Sequence, residues 1–242
     1  LGTLVGGIAH EFNNALAGIS GNIYLAKQDA VLLPNLINKL DSIENLTFKS
    51  AELIKNLLSF ARKGVVNKMP LDFGIFIEHI LEIIRLSLSE NINLVTDISA
   101  ETMIINADEN LLQQVVINLI NNAHDAVKNV DNPCITIKLS PYISDNKFVE
   151  PHPDVTTELV CLSISDNGMG IDEQNLPHIF DPFFTTKEVG KGTGLGLSMV
   201  SGAIQSHDGF IAVKNLDNRG CMFNIFLPIV QDEVSSSSSS IA

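Results

Sequence analysis

The chain has 242 residues, 45% of them hydrophobic, which is enough apolar side chain for one large domain or two small ones. Its 28 acidic and 15 basic residues leave a net charge of −13. That excludes a nucleic-acid backbone binder, which needs clustered cations, but not a protein that holds one nucleotide with a glycine-rich loop and a metal. No apolar run reaches the roughly 18 residues of a membrane span, so no membrane contact by this fragment and a cytoplasmic location are expected; the start at Leu1 is expected to mark a piece of a longer chain, whose remainder can carry a membrane anchor.

Residues 1–30 place Val5, Ile8, Phe12, Ala15 and Ile19 at alternating steps of three and four, the pattern of a helix with one apolar seam. "VLLPN" interrupts it, and Pro34 suits the first turn of a second helix. A second stripe follows at Leu36, Leu40, Ile43, Thr47, Ala51, Ile54, Leu58 and Ala61 and stops at "RKG". Residues 1–63 therefore read as a helical hairpin. Two helices cannot enclose a core, so two copies are expected to pair as a homodimer with a four-helix bundle. Within the first helix lies "IAHEFNN". His10 is two residues from both Ile8 and Phe12, about 200° round the helix, so it points away from the seam. A plain exposed histidine and a reactive one both fit that position.

"GVVNKMP", 64–70, reads as a linker, and an α/β sandwich is expected over 71–230. "FGIFIEHILEIIRLSL" looks helical; "NLVTDIS" and "TMIINA" are short strands; Asp108 caps a long helix to about residue 130. "CITIKLSPYI" and "TELVCLSIS" alternate like strands, a glycine-rich stretch spans 185–196, a helix runs from about Leu195 to His207, and "GFIAVKN" and "CMFNIFLP" close the domain as strands. Cys134, Cys161 and Cys221 fall in strand-like stretches without metal spacing and read as buried, reduced thiols. The serine-rich 231–242 reads as a flexible tail.

Three stretches of the second part carry chemistry. On the helix from Asp108, Leu111, Leu112, Val115, Val116, Leu119, Ile120 and Ala123 form the apolar face, while Gln114, Asn118 and Asn122 repeat every four residues along another. Amides are a poor choice for a merely solvated face, but an amide oxygen is a good hard ligand for Mg²⁺. In "ISDNGMGI" a strand ends at Asp166, which can accept from an exocyclic amine; Gly168 and Gly170 let the backbone approach a flat ring. An ordinary turn has the same look. In "GKGTGLGLSMV", Gly190, Gly192, Gly194 and Gly196 alternate into a helix start, where N–H groups suit phosphate oxygens. The spacing is neither that of a P-loop nor the dinucleotide-binding GxGxxG.

In this order the stretches resemble the motifs of sensor histidine kinases: Asn118 to Asn122 the N box, "DNGMG" the G1 box, "DPFFTTK" the F box, "GKGTGLG" the G2 box, and "HEFNN" the H box. "RGCMF" sits where a further glycine motif is expected. The resemblance runs from residue 1 to about 230 and implies the ATP-binding fold shared with DNA gyrase, a heat-shock chaperone and mismatch-repair ATPases. It further implies that Asn122, with Asn118 nearby, holds Mg²⁺, and that Asp166 meets the adenine amine of ATP. The stretch Thr185–Gly196, with Thr193 and Leu195, would form a mobile lid over the phosphates, and Lys187 would help screen them. His124 departs from the arginine that such proteins often place there. His10 would be the phosphorylated residue, with Glu11 as hydrogen-bond partner or base and Asn14 orienting a water for dephosphorylation of a partner. The expected function is autophosphorylation of His10 and transfer to an aspartate of a response-regulator receiver domain. An ATP-driven clamp of the gyrase type and a non-catalytic nucleotide-binding scaffold are the alternatives.

Overall fold

The computed structural model describes residues 2–30, 33–61, 66–142, 158–187, 192–217 and 219–230, with backbone alone for 2–11, 49, 52–53 and 55–61. The chain divides into two compact units, residues 1–65 with 181–199, and residues 66–180 with 200–242.

In the first unit α1 (Gly2–Asp29) and α2 (Pro34–Ala61) form the expected hairpin. Pro34 opens α2, where its missing N–H costs no helical hydrogen bond. Ile23, Ala30 and Thr47 are buried between the helices. Lys27 of α1 reaches Asp41 and Glu44 of α2, at 2.7 Å each, and these hydrogen bonds, Asp41 first, push its pKa up. Part of the apolar seam stays open: Phe12 and Ile19 are 56% and 44% exposed, and Leu36 and Ile43 are 42% and 46% exposed. On each helix the open strip lies roughly 50–100° round from the line of contact, in the same rotational sense. Because the two helices run antiparallel, both strips fall on one side of the hairpin.

The second unit is built on a five-stranded mixed sheet of β2 (Asn93–Ile98), β4 (Cys134–Tyr142), β5 (Leu159–Asp166), β6 (Phe210–Asn215) and β7 (Cys221–Pro228), in the order β2-β4-β5-β7-β6. Only β2 and β4 run parallel; β4–β5, β5–β7 and β7–β6 are antiparallel. Alternate residues Ile135, Ile137 and Leu139 of β4 and Leu162 and Ile164 of β5 are fully buried, with Ile137 opposite Ile164 and Leu139 opposite Leu162. They supply the sheet's half of the core. Two helices supply the rest: α3 (Phe73–Ser87), through Phe76, Ile77, Ile80, Leu81 and Ile84, and α4 (Glu109–Val127), through Leu112, Val115, Val116, Leu119, Ile120, Ala123 and Val127. Leu111, read from sequence as part of that face, is half-buried at its margin. The helix α5 (Gly196–Ser206) precedes β6.

One element differs from the sequence reading. Met69–Asp72, at the end of the stretch read as a linker, is strand β1, paired antiparallel with β3 (Ile104–Ala107). Pro70 fits because β1 is paired by β3 on one side, and on its other edge an N–H is not needed. Asp72 then caps α3, its Oδ1 accepting from the N–H groups of Gly74 and Ile75 at 3.0 and 3.2 Å. No helix among the described residues is long and apolar enough to cross a membrane.

Candidate nucleotide site

The site grows from α4 and the end of β5. Asp108 caps α4 as expected, accepting from the Leu111 N–H at 3.3 Å. Burying the apolar face turns the amide stripe Gln114, Asn118 and Asn122 to the margin, where all three are half-buried. Asn118 and Asn122 are one turn apart, so their amide oxygens lie on one face.

The period-2 alternation of β5 sends Asp166 inward, where it is 5% exposed. A buried carboxylate needs donors, and Asp166 has two. Its Oδ1 accepts from the Gly168 N–H at 2.8 Å, and its Oδ2 accepts from the Cys221 thiol at 3.1 Å. Burial first, then the charge and hydrogen bond of Asp166, push the Cys221 thiol far up, so sulfur stays protonated and remains a donor. Gly168 is required by space: a Cβ there would lie 2.6 Å from the Ala126 carbonyl oxygen of α4 and 2.7 Å from Asp166 Oδ1. This packing brings the Asp166 loop against the last turns of the helix that carries Asn118 and Asn122. Gly170 has a φ of +73°.

Two asparagines that sequence reasoning passed over shape the same loop. Asn167 Oδ1 accepts from the Cys134 N–H at 2.8 Å, and its amide donates to the Asn132 carbonyl at 3.0 Å. Asn215 exchanges two hydrogen bonds with the backbone of Ile171, at 2.8 and 2.6 Å. Asn167 stands inside "DNGMG", but its partners are more than 30 residues away, and Asn215 gave no local signal. Cys221 read only as a buried thiol, although it follows the glycine of "RGCMF". His124 is half-buried on α4, with its Nδ1 3.8 Å from Asp125 Oδ1.

The glycine-rich stretch belongs to the other unit. Its base is closed by the Phe183 N–H donating to the Gly194 carbonyl at 2.9 Å. Gly194 has a φ of +66°, and a Cβ there would sit 2.3 Å from the Phe183 carbonyl carbon, so only glycine fits. Thr185 Oγ1 accepts from the Lys187 N–H and Thr193 Oγ1 from the Leu195 N–H, both at 3.2 Å. Gly192 lies beside Thr185, Leu195 is buried, and α5 begins at Gly196. Gly190 lies outside the described residues. On α1, Asn14 is exposed; His10 and Glu11 are helical, with side chains outside the described set.

A buried carboxylate at a strand end, a glycine pressed on the neighbouring helix and an amide stripe on that helix lie together in one α/β domain, the class that the fold defines. The particular family follows from comparison. Residues 107–231, over half of the chain, match the family described as histidine kinase-, DNA gyrase B-, and HSP90-like ATPase, and the chain belongs to it. It is similar to the sensor kinase CckA of Brucella abortus (strain 2308), 34% identical over 96% of this chain and 25% of that protein. The fold matches full-length ShkA in complex with AMPPNP, with a TM-score of 0.74 at 22% identity over 94% of this chain and 46% of that one. It also matches the histidine kinase ThkA in complex with the response regulator protein TrrA, with a TM-score of 0.63 at 25% identity over 95% of this chain and 62% of that one. The chain spans from 24% to 61% of the length of the curated relatives compared with it.

Proposed function

We propose that this chain is the catalytic core of a sensor histidine kinase in the cytoplasm. It works as a homodimer, phosphorylates its own His10 from Mg-ATP, and passes the phosphoryl group to an aspartate of a response-regulator receiver domain. Residues 1–63 serve as the dimerisation and phosphotransfer hairpin, 64–70 as the linker, 71–230 as the ATP-binding domain, and 231–242 as a tail. The observation that carries the reading is the buried Asp166, held from two sides beside α4. With both oxygens aimed by Gly168 and Cys221, its remaining lone pairs suit an adenine amine, whereas a guanine carbonyl would meet an acceptor.

Asn122 and Asn118 fit a divalent cation: their oxygens are hard, uncharged donors one turn apart, and the phosphates supply the balancing charge. Mg²⁺ held there would neutralise charge building on the β- and γ-phosphates. The backbone N–H groups of Gly192, Thr193, Gly194 and Gly196, near a helix start, suit phosphate oxygens, as do that of Gly190 and the cation of Lys187, while Leu195, with its N–H on Thr193 Oγ1, shapes the loop. Gly170, with Gly168, leaves room for the base. The imidazole of His10 attacks the γ-phosphorus in line; the P–N bond forms as the bond to the bridging oxygen breaks, and ADP leaves. Glu11 orients the ring and accepts its proton, and the receiver aspartate later takes the phosphoryl group. Asn14 orients water for the reverse, phosphatase task. The open strips of Phe12, Ile19, Leu36 and Ile43 on one side of the hairpin support the homodimer.

Calorimetric titration with Mg-AMPPNP and its guanine counterpart tests the base site. The wild-type chain should prefer the adenine nucleotide, and Asp166→Ala should weaken it at least tenfold, the scale of a lost charged hydrogen bond, roughly 1.5–3 kcal/mol. Equal affinities for the two nucleotides would overturn the assignment of Asp166.

A further inference from the structure

We propose that His207 is a positioning residue of the nucleotide site, which locks the end of the linker and the start of α4 into one body. His207 directly follows α5 and is 2% exposed. Its Nδ1 lies 2.7 Å from the Ala203 carbonyl oxygen, which can only accept. Its Nε2 lies 2.9 Å from the Asp108 backbone nitrogen, which can only donate. The ring therefore carries its proton on Nδ1 and accepts at Nε2. Asp108 is the cap of α4. One carboxylate oxygen takes the Leu111 N–H and the other takes the Asn67 N–H, both at 3.3 Å. The next residue of the linker, Lys68, pairs with Asp208, the next residue after His207.

These contacts close a ring. Asn67 binds Asp108, Asp108 binds His207, His207 continues to Asp208, and Asp208 binds Lys68, which follows Asn67. Two consecutive residues at the end of the linker are thus tied to the first turn of α4 and the end of α5 at once. A helix with a packed apolar face moves as a rod. A displacement of residues 67 and 68 is passed through Asp108 to α4, and hence to Asn118 and Asn122. This rests on the reading of those amides as ligands of Mg-ATP, and it adds the route by which the hairpin side of the chain and the nucleotide affect one another.

Hydrogen exchange and autophosphorylation kinetics on the whole chain test the ring. Mg-AMPPNP should slow exchange at residues 66–69 as well as in α4. Lys68→Ala with Asp208→Asn opens the ring at an exposed pair, and Asn tolerates the positive φ of 59° at residue 208. In that variant exchange at 66–69 should rise about threefold, the scale of one lost exposed ion pair. The analogue should still protect α4 but no longer 66–69. The KM for ATP should stay within threefold while kcat for labelling falls at least fivefold, because nucleotide binds normally but the domain is delivered loosely. His207→Leu should loosen 66–69 and 108–112 together, and His207→Gln, which restores an acceptor, should recover most of the loss. Protection of α4 without 66–69 in the wild-type chain, or wild-type kcat in the double variant, would overturn the proposal. If the analogue protects nothing, the nucleotide reading has failed, and the ring is judged by the His207→Leu arm: joint loosening supports it, loosening of one side alone overturns it.

Discussion

At the scale of single residues, the neighbours of a group decide what it can do. Asp166 could be suspected from "ISDNG", because a strand ended there and glycines followed. Its second donor could not: Cys221 is 55 residues away and becomes a partner only once β5 and β7 pair. Cysteines in strands read alike in sequence, yet Cys221 holds a carboxylate while Cys161 is merely half-buried in β5. Burial pushes the Cys161 thiol up from 9.0 to about 11. The unfolded chain loses that proton first, so this thiol contributes stability below the ordinary thiol range that is lost as pH rises towards about 11. Denaturant titrations across that window should therefore fall less steeply with pH for Cys161→Ser than for the wild-type chain; identical slopes would refute the shift. On α1, Glu11 and Asn14 lie about 100° and 40° round from His10 in the same rotational sense, Glu11 at the next residue and Asn14 one turn on, and the proposed reading gives them separate tasks. Glu11→Ala should slow labelling of His10 by roughly 10²-fold and spare dephosphorylation of the receiver, and Asn14→Ala should do the reverse. Radiolabel kinetics that show equal damage to both activities in both variants would end that division.

At the scale of elements, local signals were readable where the chain itself supplied both halves of an interaction. The cap at Asp108, the stripe of Gln114, Asn118 and Asn122, the break at Pro34 and the alternation in β4, β5 and β7 all have partners within a few residues or one face. β1 was missed because Met69 and Pro70 carry no alternation, and its strand character comes from β3, more than 30 residues on. The brace between His207 and Asp108 spans 99 residues and left no mark on either segment. The hairpin shows a third case. Its seam was legible, but not which part α2 covers and which part stays open. The open strips give a direct prediction. Ile19→Glu with Ile43→Glu, both on that side, should convert the dimer to monomer in sedimentation velocity while helix content changes little. A wild-type chain that sediments as a monomer at working concentration would contradict pairing through these strips.

At the scale of the whole molecule, the proposed phosphoryl transfer depends on position more than on covalent chemistry. The sheet holds Asp166 buried with two donors, α4 carries two amides at the margin of the same core, and His10 lies on α1 in a separate unit. The net charge of −13 is compatible with that proposal, in which backbone N–H groups and a cation, rather than a basic patch, would meet the anionic ligand. In the proposed reaction His10 is the phosphorylated residue, and the nucleotide that supplies the group is held through Asn122. Incubation with Mg²⁺ and γ-labelled ATP, followed by acid and alkali stability tests of the label, addresses this most directly. The wild-type chain should carry an acid-labile, alkali-stable phosphoryl group, and both His10→Gln and a folded Asn122→Ala should carry none. Wild-type labelling of His10→Gln would show that the phosphoryl group goes elsewhere.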